Sequence, residues 1–165
     1  MQKRGAKGQL QISFGVIFSI IIIIATVAVA FYVITHFLNL AACTKTGQFY
    51  NAIEKDVDNA WKGGVTQETF NGELPSAITQ VCFGNLSQSY GREYEEMHQY
   101  LKENALENKN VFLYPPGKAC DAELASYNLE HATMDRFFCI PVKSGKFSVK
   151  LTKGNFDILV KLSKP

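Results

Sequence analysis

A chain of 165 residues, 47% of them hydrophobic, is long enough to build one domain with its own core after an apolar start. The formal net charge of +2 comes from Lys3, Arg4 and Lys7, which precede that apolar run. All fifteen acidic residues follow Leu40, against fourteen of the seventeen basic ones, so the remainder is close to neutral. The slightly basic balance is therefore a topology signal, and it excludes the broad positive footprint of a nucleic-acid binder.

From Gly8 to Thr44 the chain has no formal charge, and from Ile12 to Leu40 it is almost entirely apolar. Five consecutive isoleucines, Ile20 to Ile24, form its centre. In hydrocarbon only a helix satisfies its own backbone groups, so the pattern predicts a transmembrane helix over residues 12–40. As a helix that run would be roughly 43 Å long against a hydrocarbon core of about 30 Å, so it must tilt or protrude. Phe31, Tyr32, His36 and Phe37 suit the outer interface. Basic residues on one flank predict a cytoplasmic N-terminus, residues 1–11, and an extracytoplasmic domain, residues 41–165. The expected location is the cell membrane, with a single pass and the lipid bilayer as first partner. Gly15 and Ser19, and likewise Thr26 and Ala30, put small residues one turn apart, a spacing that lets two membrane helices of a homo-oligomer approach.

Three processing routes compete with a retained span. Ala28-Val29-Ala30 has the form of a signal-peptidase site but is followed by more apolar sequence, Phe31 to Ile34. Leu40-Ala41-Ala42-Cys43 has the form of a lipobox behind an apolar region longer than a signal core of about 7–15 residues. Lys7-Gly8-Gln9, with an apolar helix starting at once, resembles the class III signal peptides of archaeal type IV pilins. That resemblance implies cleavage after Gly8. Gln11-Ile12-Ser13 echoes part of the pilin pattern Q-x-S-x-E, and Gly15 stands where the glutamate would be. The whole layout resembles small single-span archaeal membrane proteins with a K/R-G-Q start and a cysteine-bearing ectodomain. This implies a location and leaves activity open.

Beyond the span, Thr44 to Trp61 reads as an amphipathic helix, with Phe49, Ile53, Val57, Ala60 and Trp61 on its apolar side. It either runs on from the membrane helix or breaks near Asn39, and Gly63-Gly64 ends it. Trp61 reads as core. Strands are expected over Thr66 to Leu74 and Ala77 to Gly84, a second helix over Tyr90 to Leu106, and a buried strand over Val111 to Tyr114. The helix has Tyr94, Met97, Leu101 and Ala105 as its apolar stripe. Ser126 to His131 reads as a strand with Tyr127 and Leu129 facing in. At the C-terminus Phe147, Val149 and Leu151 alternate with polar residues, and Phe156, Ile158, Val160 and Leu162 repeat the period of two. Lys153-Gly154-Asn155 reads as their hairpin turn, and Phe137 to Val142 as the preceding strand of one meander. The expected fold is α+β, with two helices on a mainly antiparallel sheet behind the membrane helix.

Cys43, Cys82, Cys120 and Cys139 all follow the span. An even count on an oxidising side predicts two disulfides, and the short loop favours Cys120–Cys139, leaving Cys43–Cys82. Asn85-Leu86-Ser87 is a glycosylation acceptor at Asn85. Lys146, Lys150 and Lys161 project from the C-terminal strands opposite the core side, a basic surface for lipid headgroups or an acidic partner. Glu95 and His98 match the i, i+3 spacing of a di-iron helix, but the chain has too few helices to complete that site, so they read as a solvated helix face. No spacing calls for a metal, a cofactor or a catalytic residue. The expected role is non-enzymatic, binding an envelope partner or structural. The rivals are a pilin-like filament subunit and an envelope enzyme with an unrecognised site.

Overall fold

The computed structural model describes residues 14–106 and 108–165. Lys3, Arg4, Lys7, Gly8 and Gln9, and the start of the expected span at Ile12, lie outside the described residues. Contacts divide the chain into two units at the Leu38–Asn39 boundary.

In the first unit every residue from Phe14 to Leu38 is helical and exposed. An 18-residue window there has a mean hydropathy of 2.9, with no part of it buried. Such a helix, roughly 37 Å long over these residues, is long and apolar enough to cross a hydrocarbon core of about 30 Å. The element containing it, α1, runs from Phe14 to Lys62, 49 residues in all. The expected membrane helix and amphipathic helix are thus one helix. Asn39-Leu40-Ala41-Ala42-Cys43 holds neither Gly nor Pro, so no helix breaker stands at the expected break near Asn39, and the helix runs through Gly47 to end before Gly63-Gly64.

In the second unit α1 buries Thr46, Phe49, Tyr50, Ile53, Val57 and Ala60, a stripe at three- and four-residue spacing. The same unit holds, among the described residues, eight strands: β1 (Thr66–Glu73), β2 (Gln80–Phe83), β3 (Val111–Tyr114), β4 (Ser126–Tyr127), β5 (Ala132–Thr133), β6 (Phe138–Pro141), β7 (Lys146–Lys153) and β8 (Val160–Ser163). They form two four-stranded sheets, not one, with orders β1-β7-β8-β5 and β4-β3-β2-β6. All pairings are antiparallel except β5 with β8. The second helix, α2 (Glu95–Asn104), is shorter than expected and is preceded by a 3₁₀ turn over Arg92–Tyr94.

One core joins α1 to both sheets. Phe49 lies 6.2 Å from Phe70 and 5.6 Å from Phe147, and Phe147 lies 6.3 Å from Phe83, measured between ring centroids. Ile53 and Val57 are fully buried in it, each worth roughly 1.5–3 kcal/mol of transfer free energy. The other face of the second sheet carries Cys82, Phe112 and Cys139, which pack with Phe137 and with Leu101 of α2.

Two expectations about the C-terminal strands are overturned. β6 does not join a meander with β7: it pairs with β2, and the chain passes to the first sheet through a two-residue turn closed by the Lys143–Lys146 bridge. Ser144 and Gly145 there have φ of 51° and 76°. A Cβ at Gly145 would also sit 2.7 Å from the Leu74 carbonyl oxygen, so this turn needs its glycine. Phe156 and Ile158 are not core: they are 99% and 83% exposed on the β7–β8 loop. The period of two in Phe156, Ile158, Val160 and Leu162 is real in the sequence, but β8 begins only at Val160. The Ser126–His131 strand shrinks to β4, while Leu129 is buried as expected.

Candidate functional site

The cysteines pair as Cys43–Cys120 and Cys82–Cys139, which corrects the expected Cys120–Cys139 and Cys43–Cys82. Loop length does not choose the partners; the sheet does. Cys82 of β2 and Cys139 of β6 stand directly opposite in the ladder, with Cα atoms 4.0 Å apart, inside the second core. Cys120 is left for Cys43, with Cα atoms 4.6 Å apart. That bridge is the first of three ties between one face of α1 and the segment from Ala119 to Leu124. The Thr46 hydroxyl donates to the Ala119 carbonyl at 2.5 Å, and the Tyr50 hydroxyl donates to the Leu124 carbonyl at 2.7 Å. Positions 43, 46 and 50 lie one turn apart, so all three act along a single helix face. Burial pushes the Tyr50 phenol well above its ordinary value, which keeps it a donor.

A second flank of α1 carries Glu54, Asp58 and Lys62, each one turn further on. Tyr127 donates to Glu54 at 2.8 Å, and burial with this carboxylate raises its pKa to about 12. Asp58 meets His131 Nδ1 at 2.8 Å and Lys62 at 3.7 Å. The hydrogen bond from His131, with the Lys62 charge, holds the Asp58 carboxyl below its ordinary value. His131 stacks on Trp61 at 3.7 Å, and the Trp61 indole N–H donates to the Ile158 carbonyl at 3.0 Å. Trp61, expected in the core, is instead half-buried and packs against the core from its rim. This aspartate–histidine pair was invisible in sequence because its members are 73 positions apart. Among the described residues no hydroxyl or thiol is hydrogen-bonded to His131, so the pair has an orienting carboxylate but no nucleophile to activate.

His98 is the other histidine whose place differs from expectation. It is 5% exposed, not on a solvated helix face. Its ring stacks on Tyr90 at 4.1 Å and meets Phe137 edge-on at 5.0 Å. Nε2 is buried without a hydrogen-bond partner. Burial lowers its pKa against the opposing effect of a backbone hydrogen bond at Leu86, and nearby Lys102 lowers it further. Glu95 is exposed, so the i, i+3 pair presents one carboxylate to solvent and one imidazole to the core. No group of three or more metal-ligating side chains occurs among the described residues.

Lys146, Lys150 and Lys161 do share one face of the first sheet. Lys146 pairs with Glu73 at 3.6 Å and Lys161 with Asp135 at 2.5 Å. Lys150 stands opposite Thr69. The face also carries Gln67, Asn71, Ser148 and Thr152, so it is polar and mixed in charge. Asn85 is exposed, and its side-chain oxygen accepts from the Ser87 N–H at 2.9 Å and the Ser87 hydroxyl at 3.0 Å. Two clefts of about 350 and 440 Å³ flank the hydrogen bond from Lys164 to Tyr94. They mix carboxylates, amines and tyrosine edges with no convergent set of buried polar groups.

Comparison with family models, with curated proteins and with solved structures returns no match.

Proposed function

We propose that the chain is a membrane-anchored extracytoplasmic module with a non-enzymatic role in the cell envelope, either structural or in binding a partner protein. The observation that carries the reading is α1 itself: bare and apolar from Phe14 to Leu38, and packed on protein from Thr46 to Ala60. An exposed apolar helix of that length is costly in water and stable in lipid. The two disulfides suit an oxidising compartment, which supports a topology with the residues after Cys43 outside the cytoplasm and Lys3, Arg4 and Lys7 inside. Neither the Asp58–His131 pair nor the clefts beside Tyr94 assemble a nucleophile with its base, which favours binding over catalysis. Protease added to intact cells should remove the domain and leave a short anchored fragment. A full-length band that survives on intact cells and disappears only after lysis would reverse the topology.

One observation favours a second reading, a pilin-like filament subunit. The same 49-residue helix supplies both the apolar segment and the spine of the sheet domain, the plan that the N-terminal resemblance implies. Gly15 in place of the glutamate argues the other way. Intact mass of the extracted protein separates the two: a mature chain starting at Gln9, together with filaments in the medium, supports the pilin-like role, and an uncleaved chain supports the anchored module.

A further inference from the structure

We infer that the free edge of β1 is a self-complementary docking edge, on which a second copy of this chain adds its own β1 antiparallel. The two sheets have four edge strands, and three of them are poor templates. β4 and β5 are two residues long, and β6 has four residues and ends in Pro141, which cannot donate. β1 differs. Its eight residues, Thr66–Glu73, pair without interruption with β7 on one side. Among the described residues no backbone hydrogen bond reaches its other side. A strand of this length exposes about 27 Å of edge, with outward N–H and C=O groups at every second residue. Of the usual guards against edge pairing, β1 has no proline, no lysine and no bulge; its charges are Glu68, on the core side of the strand, and Glu73, at its end beside Lys146.

The choice of a second copy follows from register. Outward-facing backbone groups recur every two residues, so two antiparallel copies must pair residues of the same parity, and the two-fold axis falls on a residue. With the axis on Thr69, Thr69 faces Thr69 and Gln67 faces Asn71 twice, all on the solvated side of the sheet. On the other side Thr66 faces Gly72 and Glu68 faces Phe70. Neither Glu68 nor Glu73 meets a carboxylate in this register. An axis on Glu68 would oppose two carboxylates, and that repulsion selects against this slip; an axis on Phe70 would break the Thr69–Thr69 and Gln67–Asn71 pairs and set Glu73 against Gln67. Threonine and amide side chains hydrogen-bond across such a ladder. An isologous contact of this kind uses the one long edge of each copy and then closes, giving an eight-stranded sheet across a dimer and no open fibre. The inference rests on β1 alone and holds whichever reading of the anchor is right.

The test uses the full chain in detergent micelles, with detergent-corrected light scattering for mass and thermal melting for fold. The parent should dimerise in a concentration-dependent way. Thr69→Glu places a carboxylate beside Lys150 within each copy but opposite itself across the axis, so the monomer should melt as the parent does. Its dimer should weaken by roughly tenfold or more, because like charges directly opposite are destabilising. Thr69→Lys should weaken it likewise, and a mixture of the two variants should recover the parental mass as a heterodimer. A parent that stays monomeric at every concentration would overturn the inference. So would a dimer that neither substitution weakens, since the contact would then lie elsewhere, as on the apolar helix. Recovery of monomeric parent with an extended segment of another protein on β1 would overturn the choice of a second copy.

Discussion

The two sheets of the second unit differ in how many of their faces meet protein. In the first, β7 alternates between buried Phe147, Val149 and Leu151 and the more open Lys146, Ser148 and Lys150. In the second, β2, β3 and β6 bury nearly every residue, because α1 covers one face and α2 and Phe137 cover the other. A sheet with one wet face writes its orientation into the sequence as a period of two. A sheet covered on both faces writes only a short apolar run. The same difference predicts where substitutions will be felt.

The largest effect should come from Phe112→Ala. Phe112 is 1% exposed between the Cys82–Cys139 bridge and Leu101, so truncation leaves a cavity that the stapled strands are poorly able to close. The expected loss is about 3–5 kcal/mol, read by denaturant unfolding of the detergent-solubilised chain. Thr152→Ala on the wetter face of the first sheet is the control, expected to cost no more than about 1 kcal/mol because its hydroxyl loses only a long hydrogen bond to the Lys161 carbonyl, 3.3 Å. Similar losses at both positions would mean that α2 does not cover the second sheet in solution.

Removing either disulfide by paired alanines should cost roughly 2–4 kcal/mol. The loops closed are similar, with separations of 77 and 57 residues, so loop entropy alone separates them by only about 0.3 kcal/mol. The Cys82/Cys139 pair should nevertheless cost more, because both residues are buried in a sheet covered on two sides while Cys43 and Cys120 are half-exposed. Peptide mapping of unreduced protein checks the pairing first: a Cys120–Cys139 peptide would undo the comparison.

His98 sharpens the contrast through pH. Its folded pKa lies below the ordinary value of 6.5, so the neutral ring is the form that the packed α2 accepts. The stability it supports is fully present above pH 6.5 and is lost as pH falls through the lower folded value. Unfolding midpoints should therefore drop between neutral and mildly acid pH. His98→Phe, which keeps the stack on Tyr90 and Phe137 but cannot charge, should flatten that part of the profile. An unchanged acid limb in the variant would assign it to another group. Asp58 acts lower, because its carboxyl is held down by His131 and its contribution fades only when the carboxyl protonates.

The legible parts of the molecule were those with an unambiguous period. The apolar run, the α1 stripe through Ile53 and Val57, and the alternation of β7 all stand where the pattern put them. Val111–Tyr114 was found because its four residues are apolar and Pro115-Pro116 stops them. What failed depended on contacts between distant residues. Phe156 and Ile158 keep the period of two, yet among the described residues no neighbouring strand reaches them. The cysteine pairing follows from the β2–β6 register, and sequence spacing carries none of that information. The burial of His98 follows from Tyr90 and Phe137, which lie on opposite sides of it along the chain.

The smallest effect belongs to the lysines of the wet face. Changing Lys146, Lys150 and Lys161 together to glutamine should leave stability within about ±0.5 kcal/mol per site, because the pairs with Glu73 and Asp135 are largely solvated and such pairs contribute little. The same change leaves Glu73 and Asp135 without their cations, so the face turns from mixed to acidic. If this surface meets anionic lipid or an acidic partner, binding to anionic vesicles at low salt should fall in the triple variant, and added salt should reproduce the fall in the parent. The ion pairs argue for a weak effect, since two of the three charges are already answered within the domain. Equal vesicle binding by parent and variant would leave the lysines as ordinary solvated neighbours of β1. The solvated face would then contribute through its hydroxyl and amide groups, in keeping with the pairing of Gln67, Thr69 and Asn71 across a two-fold axis.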